Sequence, residues 1–494
     1  MGTRAKEKSL GELGLTIPGG GHVRVTGLAV DSRDVQPGFL FAALPGSRVH
    51  GAEYIETALR HGAGAVLTDP EGARRAASDL GTTPTIVVED PRQSLAYAAA
   101  LWFAAQPPTM VAVTGTNGKT SVASFTRQIW QALGHPAVSL GTMGVEGDFS
   151  TPLAHTTPEP ITLHRILAEA AFAGVDHGAM EASSHGLDQR RLDGIHLSAA
   201  AFTNLTQDHL DYHGDMERYF AAKAGLFTRL LPEDGTAVVN LDDPRGAEVA
   251  AMADDRGCDL LTVGRSQEAA LRIRALRYDA MGQDVRFSWN GTDAQVRLDL
   301  IGGFQAENAF AAAGLAIATG SDPADVFAVM HRLRAVRGRM QHAATRENGA
   351  TVFVDYSHTP GALRTALRAL RPHVLGRLVV VFGAGGDRDP GKRPMMGQAA
   401  ADEADLIFVT DDNPRSEDPA LIRAAVLAGC PGATEVGDRA EAILRGVDAL
   451  EAGDTLLVAG KGHETGQTIG TDVFPFDDIE QASIAVAALD GQGV

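Results

Sequence analysis

Cysteine is almost missing from this chain of 494 residues: Cys258 and Cys430 stand alone and far apart. Their number and spacing exclude a disulfide-stapled scaffold and a cysteine-based metal or redox motif, and suit buried thiols in a reducing compartment. Aromatic residues are also scarce, at 5%, and basic residues are outnumbered 62 to 43, for a net charge of −19. That balance argues against nucleic acid or an anionic membrane as the main partner. Any anionic substrate would need local positive charge gathered against the field of the whole chain. Long apolar runs are missing too. The most hydrophobic helical stretch, Leu95 to Ala105, falls well short of the roughly 20 residues that span a bilayer. The start, MGTRAKEKSL, is charged and no apolar stretch follows it, so no secretory signal is expected, and Lys6 breaks the myristoylation pattern after Gly2. The expectation is a cytoplasmic protein, monomeric, with no nucleic-acid or membrane partner.

What is present is alternation. Short β-branched runs alternate with alanine-rich helical stretches, the pattern of parallel α/β folds. Three lobes are expected, at 1–90, 91–341 and 342–494. The last is the most readable. Strands at Val352 to Val354, Leu378 to Phe382, Leu406 to Val409 and Leu456 to Val458 each run into a polar or glycine-rich loop: DYSHTP, GAGGDRD, TDDNPR and AGKGHE. Ligands of open parallel sheets bind at the carboxyl ends of the strands, so four such loops imply one shared site. Read singly, each is an ordinary turn.

The sharpest local signal is VAVTGTNGKTS. A buried strand enters Gly115-Thr116-Asn117-Gly118-Lys119-Thr120-Ser121 and a helix follows. Glycines let backbone N–H groups turn toward phosphate oxygens, the helix N-terminus adds partial positive charge, Lys119 reaches the phosphates and Thr120 ligates Mg²⁺. Val113 stands where the common G-x-x-x-x-G-K-[ST] loop has its first glycine, which disfavours an ordinary GTPase or motor ATPase and leaves ATP as the nucleotide. Glu181, ending the short apolar strand of GAMEASSHGLDQRR, is placed to meet the nucleotide's Mg²⁺, although alone it reads as a surface acid. Asp208, His209, Asp211 and His213 crowd one loop, and Lys223 follows on a helix rich in Tyr219, Phe220, Leu226 and Phe227. Such a lysine snorkels, or, if buried, becomes a neutral nucleophilic amine able to take up CO₂ as a metal-binding carbamate.

Together GTNGKTS, EASSHGL, NLTQDHLDYHG with its AAK, GRMQ, DYSHTP, GGDRD, DNPR and GKGHE resemble the Mur ligases, and among them the diaminopimelate-adding members, over nearly the whole chain. The resemblance implies an N-terminal α/β UDP-binding domain, a central phosphate-loop-type parallel-sheet ATPase domain and a C-terminal Rossmann-like domain. It implies ATP as co-substrate and two Mg²⁺ sites, one at Thr120 and Glu181, the other at His209 and carbamylated Lys223. Lys119, Glu181, His209 and Lys223 form the implied catalytic set. Residues 115–121 with Asn308, Arg339, Asp355 and His358 match nucleotide-contacting positions. Val30, Ser32, Thr156, Thr157, Ser183, Gln189 and Arg191 match the site for UDP-N-acetylmuramoyl-L-alanyl-D-glutamate. Arg388, Asp412, Asn413, Pro414, Arg415, Gly460 and Glu464 match the site for meso-diaminopimelate, where Arg415 offers a planar bidentate donor to the second carboxylate and Glu464 pairs with the distal ammonium. Ser357, Gly361, Ala384 and Pro390 depart from the family's common residues. Two other readings stay open: a ligase like folylpolyglutamate synthase, and a non-catalytic binder of wall precursors.

Overall fold

A computed structural model describes residues 7–17, 20–46 and 49–491. The chain divides into two compact units, 1–262 with 314–321, and 263–313 with 322–494.

The first unit contains two parallel sheets. Strands Gly27–Ala29, Phe39–Ala43, Ala65–Thr68 and Thr85–Val87 pair side by side in chain order. Ala65–Thr68 escapes a reading by alternation because all four of its residues are buried. In the second sheet six neighbouring strands are ordered Thr236–Asn240, Ala199–Phe202, Thr109–Thr114, His177–Glu181, Ala137–Gly141, all parallel, with Gly144–Gly147 antiparallel at the edge. Helices cover both faces, so the strands read as unbroken apolar runs; Met110, Val111, Ala112 and Val113 are fully buried. Each such valine or methionine contributes about 1.5–3 kcal/mol by leaving water. From Thr109–Thr114 the chain builds first to one side and then, with Ala199–Phe202, to the other. The crevice where strand order reverses is where α/β sheets bind ligands. The helix Lys119–Ala132 begins there. The helix bearing Lys223, Met216–Gly225, is N-capped by Asp215 and widens into a π turn at Leu226–Leu230.

The second unit holds an antiparallel meander and a parallel sheet. The meander, Leu271–Asp279, Gly282–Trp289 and Thr292–Leu298, was not foreseen. Its Asn290-Gly291 turn is a strong hairpin signal, with Asn290 and Gly291 both at positive φ, but a register shift between Ile273 and Ala275 interrupts the period of two. The sheet is ordered Gln341–Thr345, Thr351–Asp355, Thr455–Ala459, Leu378–Phe382, Leu406–Val409, Thr434–Glu435, parallel except for its first strand. The four strands expected from sequence lie within one residue of these bounds. Their loops therefore leave one edge of one sheet. Cys258 and Cys430 are both buried, and burial pushes the Cys430 thiol up to about 11. Among the described residues no helix is long and apolar enough to cross a membrane.

Candidate functional site

The phosphate loop is tied down by its neighbour strand. The Thr116 N–H donates to the Asn204 carbonyl at 2.8 Å, the Asn117 N–H to Asn204 Oδ1 at 2.9 Å, and the Thr203 hydroxyl to the Asn117 carbonyl at 2.6 Å. Gly115 sits at φ 147°, and a Cβ there would lie 1.9 Å from Thr203 Oγ1, so only glycine fits. Two lysines converge on this loop. Lys119 Nζ donates to the carbonyls of Gly115 at 3.0 Å and Thr116 at 2.8 Å; Lys223 Nζ donates to the same Gly115 carbonyl at 2.7 Å.

Lys223 is 1% exposed and its amine lies 4.6 Å from the Tyr219 ring centroid. Burial, aided by the charge of Lys119 and opposed by Asp208, holds the amine well below the usual lysine range. The structure thus selects the buried reading of this lysine over the snorkelling one. A desolvated ammonium without a carboxylate in contact gives up its proton.

Glu181 ends its strand opposite Val113, beside the phosphate loop, and is 2% exposed. Its Oε1 accepts from the Thr142 N–H at 2.8 Å, and Thr142 Oγ1 stands 3.0 Å from Thr156 Oγ1. Glu181 and Thr120 line one cavity of about 10 Å³, room for a single water-sized group. A carboxylate and a hydroxyl around such a space are the hard oxygen donors that suit Mg²⁺. His209, at φ 52°, is about half exposed, with Asp208 3.5 Å from its Nε2. No described contact joins it to Lys223; the Tyr219 ring stands by both, 6.2 Å from the His209 centroid.

Five of the seven residues expected to hold the UDP substrate form one network. Thr157 Oγ1 donates to the Glu181 carbonyl at 2.9 Å and accepts from the Ser183 N–H at 3.2 Å. Arg191 donates to the Thr157 carbonyl at 2.6 Å and to Gln189 Oε1 at 2.7 Å, and Thr156 joins through Thr142. Val30 and Ser32 follow the Gly27–Ala29 strand of the smaller sheet, where the Ser32 carbonyl is 2.8 Å from His61 Nδ1.

In the second unit the expected amino-acid residues meet at the sheet edge. The Asn413 amide donates to Glu464 Oε2 at 2.9 Å, while its oxygen accepts from Lys461 Nζ at 3.0 Å and the Thr468 N–H at 2.9 Å. Gly460, at φ 118°, leaves no room for a Cβ, which would stand 2.6 Å from Asp412 Oδ2. After Pro414, Arg415 adopts φ 52° and donates to the Gly386 carbonyl at 2.8 Å; its N–H donates to the Thr468 carbonyl at 3.1 Å. Arg388, in the neighbouring loop, donates to the Asp387 carbonyl at 3.3 Å. Asp355 is buried, and desolvation pushes its carboxyl up against the pull of Ser357, Arg339 and the Met340 N–H. The Arg339 guanidinium lies 4.9 Å from the Tyr356 centroid, and the His358 and His463 rings pack on Tyr356 at 4.5 and 4.7 Å. Asn308 is apart from this cluster, bonded to Gln305 at 3.0 Å.

Several contributors were not singled out from sequence. Lys461 is fully buried inside the quoted GKGHE motif, where it bridges Asn413 and Glu464 at 3.0 and 3.2 Å. Asn204, Thr142 and Arg439 carried no visible signal, because their role is to brace backbone or another side chain.

A glycine loop closed by two lysines at a sheet switch point, with a buried carboxylate alongside, defines a phosphoryl-handling α/β enzyme. Family models match in chain order: "Mur ligase family, catalytic domain" at 24–103, "Mur ligase middle domain" at 113–316 and "Mur ligase, glutamate ligase domain" at 338–462. The UDP-N-acetylmuramoyl-L-alanyl-D-glutamate–2,6-diaminopimelate ligase of Bradyrhizobium diazoefficiens is 51% identical over 472 residues, 94% of this chain and 96% of that protein. The protein of that name from Brucella melitensis is 48% identical over 472 residues, 95% of each chain. A solved structure of a ligase with the same name is 34% identical, with a TM-score of 0.74 over 98% of this chain and 99% of that one. The chain belongs to the Mur ligase family.

Proposed function

We propose that the chain joins meso-diaminopimelate to the D-glutamate carboxylate of UDP-N-acetylmuramoyl-L-alanyl-D-glutamate, using ATP and forming an acyl phosphate, in peptidoglycan synthesis. The products are UDP-N-acetylmuramoyl-tripeptide, ADP and phosphate. The observation that carries this reading is Lys223, a buried amine held 2.7 Å from the carbonyl of the phosphate-loop Gly115. A full-length match to diaminopimelate ligases favours it over a folylpolyglutamate-synthase-like enzyme or a non-catalytic binder of wall precursors.

The lobes take separate tasks: 1–90 binds the UDP moiety, 91–341 handles ATP and 342–494 presents the amino acid. Residues 115–121 cradle the phosphates, and Lys119 leaves the loop carbonyls to neutralise charge on the γ-phosphoryl group. Thr120 and Glu181 hold one Mg²⁺; His209 and Lys223 hold a second, Lys223 as the carbamate formed when its neutral amine adds to CO₂ and loses a proton. Mg²⁺ at these positions supplies charge neutralisation on the nucleotide phosphates. Asn308, Arg339, Asp355 and His358 contact the nucleotide. Val30, Ser32, Thr156, Thr157, Ser183, Gln189 and Arg191 orient the UDP-dipeptide so that its carboxylate faces the γ-phosphorus. Arg415 and Arg388 receive the distal carboxylate of diaminopimelate. Asp412, Asn413, Gly460 and Glu464 receive its ammonium, and Pro414 sets the turn that aims Arg415. Attack of the second, neutral amine on the acyl phosphate expels phosphate and leaves the amide.

The test is phosphate release by the purified chain with ATP, the UDP-dipeptide and a panel of amines. Release that needs all three components, and that falls sharply when lysine replaces meso-diaminopimelate, is expected. Release without the UDP-dipeptide, or equal rates across the panel, would refute the assignment.

A further inference from the structure

We propose that His135, Asp176 and His177 form a site for a divalent transition-metal ion of the zinc class, at the end of the central sheet remote from the phosphate loop. One ligand atom from each residue lies within 4.8 Å of the others, and among the described residues no other such trio of histidine, cysteine or acid exists. Ligand atoms sharing a tetrahedral zinc ion at 2.0–2.2 Å stand about 3.3 Å apart, so small rotations close the set. Asp176 is 44% exposed at its side chain, which leaves room for that adjustment.

The backbone under the trio is fixed. Strands Ala137–Gly141 and His177–Glu181 pair in parallel with His177 opposite Ala137. The N–H groups of Asp176 and His177 both donate to the Pro136 carbonyl, at 3.1 and 3.2 Å, and the His135 N–H donates to the Trp130 carbonyl at 3.0 Å. Asp176 Oδ1 already stands 2.6 Å from His177 Nδ1. A carboxylate–imidazole hydrogen bond would need those two residues alone. Here a second imidazole, His135, packs on the first with ring centroids 4.5 Å apart, and no described hydrogen bond uses its ring. No arginine or lysine pairs with Asp176 among the described residues. Two imidazoles and a carboxylate, all partly exposed, make a three-ligand set with a fourth position for water, the chemistry zinc prefers over magnesium.

The site is separate from the proposed Mg²⁺ positions. His177 and Glu181 begin and end the same strand, which puts them about 13 Å apart at 3.3 Å per residue. Its place suggests a clamp: the ion joins the loop after helix Lys119–Ala132 to the foot of the strand that carries Glu181.

Trp130, whose ring centroid is 4.8 Å from that of His177, provides an internal reporter. The full chain is titrated with Co²⁺ in excess Mg²⁺ while tryptophan emission is followed. The expected result is saturable quenching at one equivalent, reversed by Zn²⁺ and lost in Trp130→Phe. In His135→Gln and in Asp176→Asn, binding should weaken by at least about tenfold, the loss expected even for removal of an outer partner of a metal ligand. No quenching, or quenching as tight in both variants as in the parent, overturns the proposal. Should the variants fail to fold, the parent decides alone: four-coordinate Co²⁺ on this ligand set gives an intense visible absorption band, and the band's absence overturns the proposal equally.

Discussion

The phosphate loop of the first unit and the loops at the sheet edge of the second both gather positive charge, and they hold it in opposite ways. At the phosphate loop, Lys119 and Lys223 rest on the Gly115 carbonyl, and Lys223 is desolvated until its charge is unfavourable. At the other site, cations are locked to carboxylates: Lys461 to Glu464 at 3.2 Å, and the fully buried Arg439 to Asp478 through two bonds of 2.7 Å. Arg439 also donates to the carbonyls of Ala459 at 3.0 Å and Asp411 at 3.3 Å, each within one of the loops at the sheet edge. The first region is built so that a lysine can change its charge state. The second is built to keep a fixed pattern of charge.

The largest effect should come from breaking the fixed pattern. Arg439→Met strands the buried Asp478 carboxylate and should destabilise the chain by about 3–5 kcal/mol, measured by urea unfolding. A loss below 1 kcal/mol would mean the pair is not what holds the loops. Breaking the switchable region comes next. Lys223→Ala should lower kcat by about 10²–10³-fold, the scale of losing one preorganised charge-stabilising group. Short carboxylic acids should restore part of it; full activity in the variant removes the carbamate from the account.

His164 sharpens the comparison, as another base in the first unit whose charged form is disfavoured chiefly by burial, with the nearby His196 adding to it and the Asp193 carbonyl opposing it. It is 2% exposed and burial pushes it down to about 4. Since its folded pKa lies below the ordinary value of 6.5, the unfolded chain binds the extra proton between the two. Stability is therefore full above pH 6.5 and falls as pH drops toward 4, by roughly 3 kcal/mol at the end of the window. His164→Asn should flatten that slope in unfolding measured at pH 7, 5.5 and 4. An identical slope would place the acid sensitivity elsewhere.

The smallest effect expected is at Arg415. Replacing it with alanine removes a charged hydrogen-bond donor, typically about 1.5–3 kcal/mol, and should raise KM for diaminopimelate some ten- to a hundredfold while KM for ATP holds. An equal rise in both would make Arg415 a loop brace, a role its 2.8 Å bond to the Gly386 carbonyl also permits.

The sequence disclosed these two regions unequally. The strands of the second unit and the loops that follow them were legible because buried parallel strands are uniform apolar runs ended by glycine and proline. The phosphate loop was legible because its chemistry demands glycine and lysine in a fixed order. The meander at 271–298 was missed, since a register shift between Ile273 and Ala275 moves the charged positions from Arg272 and Arg274 to Arg277 and Asp279 and breaks the alternation. Lys223 was visible as a lysine among apolar neighbours, but the choice between snorkelling and burial depends on the Gly115 carbonyl 108 residues earlier. Arg439 and Asp478 were invisible for the same reason: a buried pair 39 residues apart resembles two surface charges until the fold closes.

Both regions matter only if the γ-phosphoryl group of ATP passes to a carboxylate that an amine then displaces. The direct measurement uses UDP-dipeptide labelled with ¹⁸O in the D-glutamate carboxylate and mass analysis of the phosphate released on adding meso-diaminopimelate and ATP. The account predicts one labelled oxygen in every phosphate formed. Unlabelled phosphate accompanied by amide product would contradict it.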